Sequence, residues 1–207
     1  MHFSRAAIGR LVLALGVAAA VALAGTPAQA ATSRASDDAI SGVLARIGQT
    51  GTLSAADRAI LNTQPEVAAQ VVVPSEVEVV DVAAEPALAG ASASGCTYAD
   101  RYVNYPSTFH ATKVTWHVRV DWCYNGKTVY NIRHYDYMGE DGGGVADYKG
   151  LQINSLTYPG KVHYEANLAK QAHIQFCVVK YGCYANMYPY QRFTLGNNGS
   201  YRVEQKK

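Results

Sequence analysis

The sequence predicts an all-β fold, an antiparallel β-sandwich with two disulfides, preceded by an extended, partly helical N-terminal arm. Three observations carry this prediction. Apolar and polar residues alternate over positions 112–137, turns rich in glycine and proline recur at short intervals after it, and all four cysteines lie from Cys96 onward. Many short strands separated by frequent turns are typical of a sandwich.

The heaviest part of the predicted core is a hairpin over residues 112–137. The apolar residues at every second position are Val114, Trp116, Val118, Val120 and Trp122. Because successive side chains of a strand point to opposite faces, one face is expected to be buried and the other to face water. Asn125 and Gly126 then predict a two-residue type I′ turn.

Residues 1–30 have the three parts of a secretory signal peptide. Arg5 and Arg10 precede an apolar run at 11–23, and an Ala-Gln-Ala cleavage motif follows at 28–30. The apolar run is shorter than the ~20 residues that a transmembrane helix needs. The sequence therefore predicts a secreted, extracellular protein without a membrane anchor.

The chain that remains after cleavage divides into two parts of opposite charge. Residues 31–95 contain three basic and eight acidic residues, whereas residues 96–207 contain 13 basic and eight acidic residues. The predicted organisation is an acidic arm with a linker (31–95) and a disulfide-stabilised domain (96–207). The basic residues of the domain are scattered, which does not match a nucleic-acid-binding surface.

Short helices are predicted in the arm. Ser36 and Ser54 each precede an acidic first turn, as N-cap residues do. Gly48 is expected to end the first helix, and Pro65 is expected to interrupt or restart the second.

Residues 75–82 alternate acidic residues with valine, which predicts a strand without a local partner. Such a segment can add itself to the exposed edge of a sheet, where its side chains select pockets. The residues assigned to partner binding are Val77, Val79, Val80 and Val82. From the sequence three outcomes stay open: pairing with a partner, pairing with the protein's own domain, and no fixed structure.

Four cysteines in an exported chain indicate two disulfides. Cys177 and Cys183 lie six positions apart across a predicted tight turn, so the predicted pairs are Cys177–Cys183 and Cys96–Cys123. The alternative joins Cys123 to Cys177 across two sheets and leaves Cys96 for Cys183. The cysteine spacing matches no zinc site, and neither a metal nor a cofactor is expected.

Five further strands are predicted between turns rich in glycine. They cover residues 146–154, 161–168, 173–180, 186–195 and 200–204. A helical turn is also predicted at residues 167–171.

Two histidine–carboxylate pairs come closest to a catalytic pattern. His134 and Asp136, like His163 and Glu165, lie two positions apart, which places each pair on one face of a strand. Such pairs can serve acid–base catalysis, so a small secreted hydrolase or nuclease is one alternative. Because no nucleophile elbow, zinc-protease motif or phosphate loop is present, the sequence favours a non-enzymatic protein without catalytic residues.

Tyrosines are concentrated around the predicted Cys177–Cys183 disulfide. Tyrosine offers a large contact area at low entropic cost and is enriched in binding surfaces. The tyrosines assigned to partner binding are Tyr181, Tyr184 and Tyr188. The sequence from Cys183 through Met187 to Pro189 also resembles the reactive loop of secreted subtilisin inhibitors, which makes a protease inhibitor a second alternative.

Three segments together resemble a set of exported actinobacterial proteins, the small adaptor subunits of the antibacterial particles called umbrella toxins. They are residues 55–69, Trp-His-Val-Arg-Val-Asp-Trp-Cys-Tyr-Asn-Gly at 116–126, and Phe-Cys-Val-Val-Lys-Tyr-Gly-Cys at 176–183. The resemblance covers nearly the whole mature chain. It implies an immunoglobulin-like sandwich without catalytic residues, whose N-terminal arm links a lectin-like subunit to a toxin-bearing subunit. The expected partners are thus other secreted proteins.

Overall fold

The computed structural model describes residues 34–82, 94–110, 113–141, 144–160 and 162–206. The predicted signal peptide lies outside the described residues. The acidic arm and the sandwich belong to one compact unit, Ser33–Lys207. In the described part of the chain, no helix is long and apolar enough to cross a membrane.

Two antiparallel sheets make up most of the described chain and confirm the predicted β-sandwich. Three helices precede them: α1 Asp37–Thr50, α2 Ala55–Leu61 and α3 Pro65–Ala68. The first sheet contains, in spatial order, β1 Glu78–Val82, β2 Gly95–Pro106, β3 Lys113–Tyr124 and β4 Val129–Asp141. The strands of the second sheet are β5 Ala146–Thr157, β6 Glu165–Val178, β7 Gly182–Met187, β8 Tyr190–Gly196 and β9 Tyr201–Lys206.

Each sheet is built from strands that follow one another in the chain. The second sheet has the order β5-β6-β8-β9, and β7 also pairs with β6. Immunoglobulin domains instead distribute consecutive strands between two sheets through Greek-key connections. The protein therefore has the two-layer architecture of such a sandwich with a simpler order of strands.

The core between the sheets is centred on β3, as the alternation predicts. The five alternating residues from Val114 to Trp122 are at most 1% exposed. Leu168, Ile174 and Phe176 of β6 belong to the same buried cluster. Burial of one such side chain stabilises the fold by roughly 1.5–3 kcal/mol, so these two strands hold the sheets together.

Both predicted disulfides are present. Cys96–Cys123 joins opposite residues of β2 and β3, and Cys177–Cys183 joins β6 to β7. The alternative that pairs Cys123 with Cys177 is therefore wrong. Each disulfide connects neighbouring strands within one sheet. Two disulfides in a chain of this size indicate an oxidising, extracellular environment.

The turn between β3 and β4 differs from the predicted type I′ turn. Tyr124 pairs with Val129, which leaves a four-residue loop. Gly126 has a positive φ of 76°, but Asn125 does not share that conformation. The Asn125 Oδ1 atom instead accepts hydrogen bonds from the backbone nitrogens of Lys127 and Thr128, at 3.0 and 2.8 Å. An asparagine that bonds its own backbone in this way favours a longer turn.

β6 is one continuous strand, although the sequence predicts two strands and a helical turn there. Alternate residues are buried from Glu165 to Val178. The prediction of a break is wrong because Lys170 occupies an inward-facing core position and is only 2% exposed. β2 was not predicted as a strand at all, and it fills the space between β1 and β3.

β7 and β8 together form one interrupted strand along β6. Met187 lies opposite Ile174, and Tyr190 lies opposite Gln171, so the register is the same on both sides of the interruption. The two residues between the strands include Pro189, which has no backbone N–H to donate to a ladder. The predicted strand at 186–195 therefore spans the interruption.

α1 packs closely against β7 and is longer than predicted. It passes Gly48 and ends at Gly51, whose φ of 69° is the left-handed conformation of a helix C-cap. A Cβ atom on Gly48 would overlap the backbone carbonyl oxygen of Tyr184. Gly48 is therefore needed for the close approach of the helix to the sheet and not for the end of the helix.

Replacing Gly48 by alanine is expected to destabilise the protein by roughly 1–3 kcal/mol, because the added methyl group pushes α1 away from β7. Gly42→Ala is the matched control in the same helix, since the nearest atom to its added Cβ is the Arg46 Nη1 atom at 3.3 Å. We expect Gly42→Ala to be neutral or to stabilise by up to ~1 kcal/mol. Urea unfolding measures both, and equal effects would contradict the packing described here.

Candidate partner-binding surfaces

The strand predicted at residues 75–82 pairs with the protein's own first sheet. β1 is antiparallel to β2, with Val79 opposite Val103 and Val80 opposite Tyr102. The second of the three open outcomes is therefore the observed one. β1 is the terminal strand of its sheet, and no described strand pairs with its other side. Unpaired backbone groups along such an edge are a template for an incoming strand.

The valines assigned to partner binding have different environments. Val79 is 43% exposed at this edge. Val77 packs against the main core, and Val80 is half-buried. Val82 is the last residue of β1. A strand added to β1 would thus meet Val79 beside the open backbone edge.

Tyr184, which the sequence assigns to a partner, is bound to the arm of its own chain. Its hydroxyl donates to the carbonyl oxygen of Val72 at 2.7 Å and accepts from the Val72 amide nitrogen at 2.8 Å. Val72 is fully buried between α3 and β1. Burial raises the pKa of Tyr184, so the hydroxyl keeps the proton that it donates.

Tyr181 also contacts the arm. Its hydroxyl donates to Asp37 Oδ1 at 2.8 Å, and the Lys180 Nζ atom lies 2.7 Å from both carboxylate oxygens of Asp37. The hydrogen bond from Lys180 lowers the pKa of Asp37. The acidic arm and the basic domain therefore meet at the turn between β6 and β7, and Tyr181 and Tyr184 belong to that internal contact.

The outer face of the first sheet carries a connected set of aromatic and charged side chains, here called the aromatic face. Its members are Tyr98, Tyr102, His117, Arg119, Tyr135 and Tyr137. One row crosses β2, β3 and β4, where the His117 ring lies 4.7 Å from the Tyr102 ring and 4.3 Å from the Tyr137 ring. The Tyr137 hydroxyl is 3.1 Å from His117 Nδ1.

A second row runs beside the first. The Arg119 guanidinium lies 4.2 Å above the ring of Tyr98 and 3.0 Å from the Asp121 carboxylate. The Tyr135 hydroxyl donates to the same carboxylate. The hydrogen bond from Arg119 to Asp121 raises the pKa of Arg119. The charge and the rings are thus held in place by neighbouring side chains before any partner arrives.

The tyrosines of β4 remain accessible although they are held in place. Tyr135 is 47% exposed and Tyr137 is 51% exposed. Aromatic residues that are fixed in advance lose little side-chain entropy on binding, so they suit a protein interface. Tyrosine and arginine are also the residue types that dominate binding energy at such interfaces.

Tyr188 lies on the outer face of the second sheet and is 46% exposed. Its ring stacks on His173 at 4.7 Å, and its carbonyl oxygen accepts from Gln171 Nε2 at 3.3 Å. It borders an open depression of about 510 Å³, here called the Tyr188 depression, lined by Ile153, Gln171, Tyr188, Tyr190 and Lys206. Of the three assigned tyrosines, Tyr188 is thus the one on an accessible surface.

The histidine–carboxylate pairs do not form surface sites. His134 and Asp136 face the inside of the sandwich, where Asp136 binds Lys170 and Tyr148. His163 precedes β6 and stacks on Tyr158 at 4.2 Å, so the prediction that it shares a strand face with Glu165 is wrong. Among the described residues, no group of three or more metal-binding side chains is found.

The comparison of residues 183–189 with an inhibitor loop also does not hold. An inhibitor's reactive residue must protrude into solvent, but Met187 lies in β7 and packs against the main core. The polypeptide around it is a strand paired to β6 rather than a free loop.

The sequence-based assignment missed the aromatic face. The signal was present in the polar half of the alternating pattern, because residues 117, 119, 135 and 137 all lie at positions that face water. The contribution of Tyr98 and Tyr102 could not be found, since β2 itself was not predicted.

Replacing Tyr184 by phenylalanine is expected to destabilise the protein by roughly 1–3 kcal/mol, because the buried amide and carbonyl groups of Val72 lose their partner. Tyr181→Phe is the control, since it removes an exposed hydrogen bond to Asp37 and is expected to change stability by less than ~0.5 kcal/mol. Thermal unfolding by circular dichroism compares the two variants. A Tyr184→Phe variant as stable as the control would contradict the internal role of this hydroxyl.

Comparison with known proteins identifies no family for this chain. No protein-family model, no curated protein and no solved structure matches the chain. The function proposed below therefore rests on the fold and on the surfaces described above.

Proposed function

We propose that this protein is a secreted, non-enzymatic adaptor that holds two other secreted proteins on separate surfaces. The observation that carries the proposal is the aromatic face, with its accessible Tyr135 and Tyr137 next to Arg119. These residue types supply most of the binding energy in protein interfaces. The signal peptide assigned to residues 1–30 exports the chain.

The aromatic face suits a protein better than a small molecule. It lies on one side of a sheet and not in an enclosed cavity, and its two rows span three strands. Small-molecule sites are concave and bury most of the ligand, whereas protein partners cover broad, flat patches. The exposed edge of β1 continues the same sheet, and Val80, which lies opposite Tyr102, extends the patch on the same face.

A second binding surface is what makes the protein an adaptor. The Tyr188 depression lies on the outer face of the second sheet, on the other side of the core from the aromatic face. Partners on these two surfaces do not compete for the same residues. The lining of the Tyr188 depression, which includes tyrosine, glutamine and lysine, provides hydrogen-bond donors and aromatic contact area without a concentration of one charge.

The resemblance to umbrella-toxin adaptors suggests which partners these surfaces hold, namely a lectin-like subunit and a toxin-bearing subunit. In this proposal the arm acts through the edge of β1 and not as a free tether, because β1 pairs with β2 and Tyr184 binds Val72. Catalysis is assigned to the toxin-bearing partner.

Affinity capture from the culture medium of the producing organism, followed by mass spectrometry, tests the proposal. We expect two large secreted proteins to co-purify in stoichiometric amounts with the tagged mature protein. The double variant Tyr135→Ser/Tyr137→Ser is expected to lose one of them, with a loss of at least ~2 kcal/mol of binding free energy, or roughly thirtyfold in Kd. Tyr188→Ser is expected to weaken the other.

Tyr130→Ser is the matched control, because Tyr130 is 44% exposed on the same strand but is not part of the aromatic face. It is expected to keep both partners. Retention of both partners by the double variant would contradict the role of the aromatic face. A pure, monomeric bait with no captured protein would contradict the adaptor function as a whole.

A further inference from the structure

A lysine and an aspartate meet between the two sheets. Lys170 of β6 projects inward from the second sheet, and Asp136 of β4 projects inward from the first. The Lys170 Nζ atom lies 2.5 Å from Asp136 Oδ1, and the side chains are 2% and 12% exposed. The C=O bond is about 1.2 Å long, so Nζ is at most ~3.7 Å from Cγ, close to the roughly 3–3.5 Å of a near-attack geometry.

We propose that Lys170 and Asp136 form an intramolecular amide bond that covalently joins the two sheets. The Lys170 nitrogen attacks Cγ of Asp136, the new bond is Nζ–Cγ, and the bond that breaks is the one between Cγ and a carboxyl oxygen. That oxygen leaves as water with the proton of the carboxylic acid and one proton of the amine. The step involves no oxidant, reductant or cofactor, and atoms balance with the loss of one water molecule.

Burial makes the ion pair a poor final state for these groups. An ammonium ion has three N–H donors, and the described residues provide Lys170 with one hydrogen bond, to Asp136. A buried ion pair stabilises a fold only when its remaining donors and acceptors are also satisfied. An amide carries no charge and has one N–H. Its formation therefore removes most of the free-energy cost of burying two charges with unsatisfied donors.

The neighbouring polar groups show the same lack of partners. Gln191 lies opposite Lys170 on β8, and Gln205 lies opposite Gln191 on β9, so the three side chains form one row inside the sandwich. Neither nitrogen nor oxygen of either glutamine side chain has a hydrogen-bond partner among the described residues. Buried polar groups without a partner are rare in folded proteins, and a chemical role is one of the explanations for them.

The Tyr148 side chain is placed to assist the reaction. The Tyr148 hydroxyl donates to Asp136 Oδ2, and this hydrogen bond polarises the carboxyl group toward attack. Burial raises the pKa of Tyr148, which keeps the donor protonated. The largest gain in rate comes from holding the two reacting groups close together in a water-poor site, so no other activating group of similar effect is needed.

His134 places a second titratable group beside the reacting pair. It lies two residues from Asp136 on the same inward face of β4, and its Nδ1 atom is buried without a hydrogen-bond partner in the described part of the chain. Burial lowers the pKa of His134, and the charge of Lys170 lowers it further against the opposing effect of Asp136, which favours the neutral imidazole. A neutral imidazole can accept one proton and donate another.

The intact mass of the mature protein, purified from the medium, tests the proposal. We expect the mass of the chain with two disulfides to be lower by one water molecule. After reduction, trypsin is expected to release one branched peptide that joins residues 134–149 to residues 162–180, because trypsin does not cut after a lysine whose amine is acylated. An unmodified chain gives a cut after Lys170 and no branched peptide.

The variants Lys170→Met and Asp136→Ala each remove one reacting group and are expected to show the full, unmodified mass. A wild-type protein that is folded and shows the unmodified mass would overturn the proposal. Loss of water that maps to another site, such as the Asp141-Gly142 sequence, would overturn it as well. Because the wild-type mass decides the question, the result does not depend on whether the variants fold.

Discussion

The docking of the N-terminal arm onto the sandwich is the interaction on which the rest of this structure depends. The helices are too short to be stable alone, and they fold because Ile40, Val43, Leu44 and Ile47 are buried together with Val178 of the sheet. The Tyr184 hydroxyl completes this contact by satisfying both backbone groups of Val72. The segment that follows is then delivered to the edge of β2, where it becomes β1.

This docking also determines which surfaces are left for partners. It covers Tyr181 and Tyr184 and turns residues 78–82 into the edge of a sheet, whereas the aromatic face and the Tyr188 depression stay accessible. Most of the fold could be predicted, because alternating valine and tryptophan on β3 and the spacing of the cysteines follow from local rules. The caps at Ser36 and Ser54 were predicted for the same reason and are observed.

The predictions that were wrong concern residues whose role depends on a distant partner. Gly48 looked like a helix end, but it is a point of contact with β7. The helical turn predicted at residues 167–171 is instead part of β6, because Asp136 on the other sheet allows Lys170 to lie in the core. The candidate surfaces were harder still, because a solvent-facing row of tyrosine, histidine and arginine has no sequence signature until the strands that align it are known.

Native-state hydrogen exchange of the mature protein tests the central claim most directly, namely that arm and sandwich are one cooperative unit. The account predicts that the amide of Val72 and those β1 amides that hydrogen-bond to β2 exchange only through global unfolding, with the same free energy of opening as the amides of β3. Exchange of the arm amides through a separate opening, several kcal/mol lower than that of β3, would show that the arm detaches while the sandwich stays folded and would contradict the account.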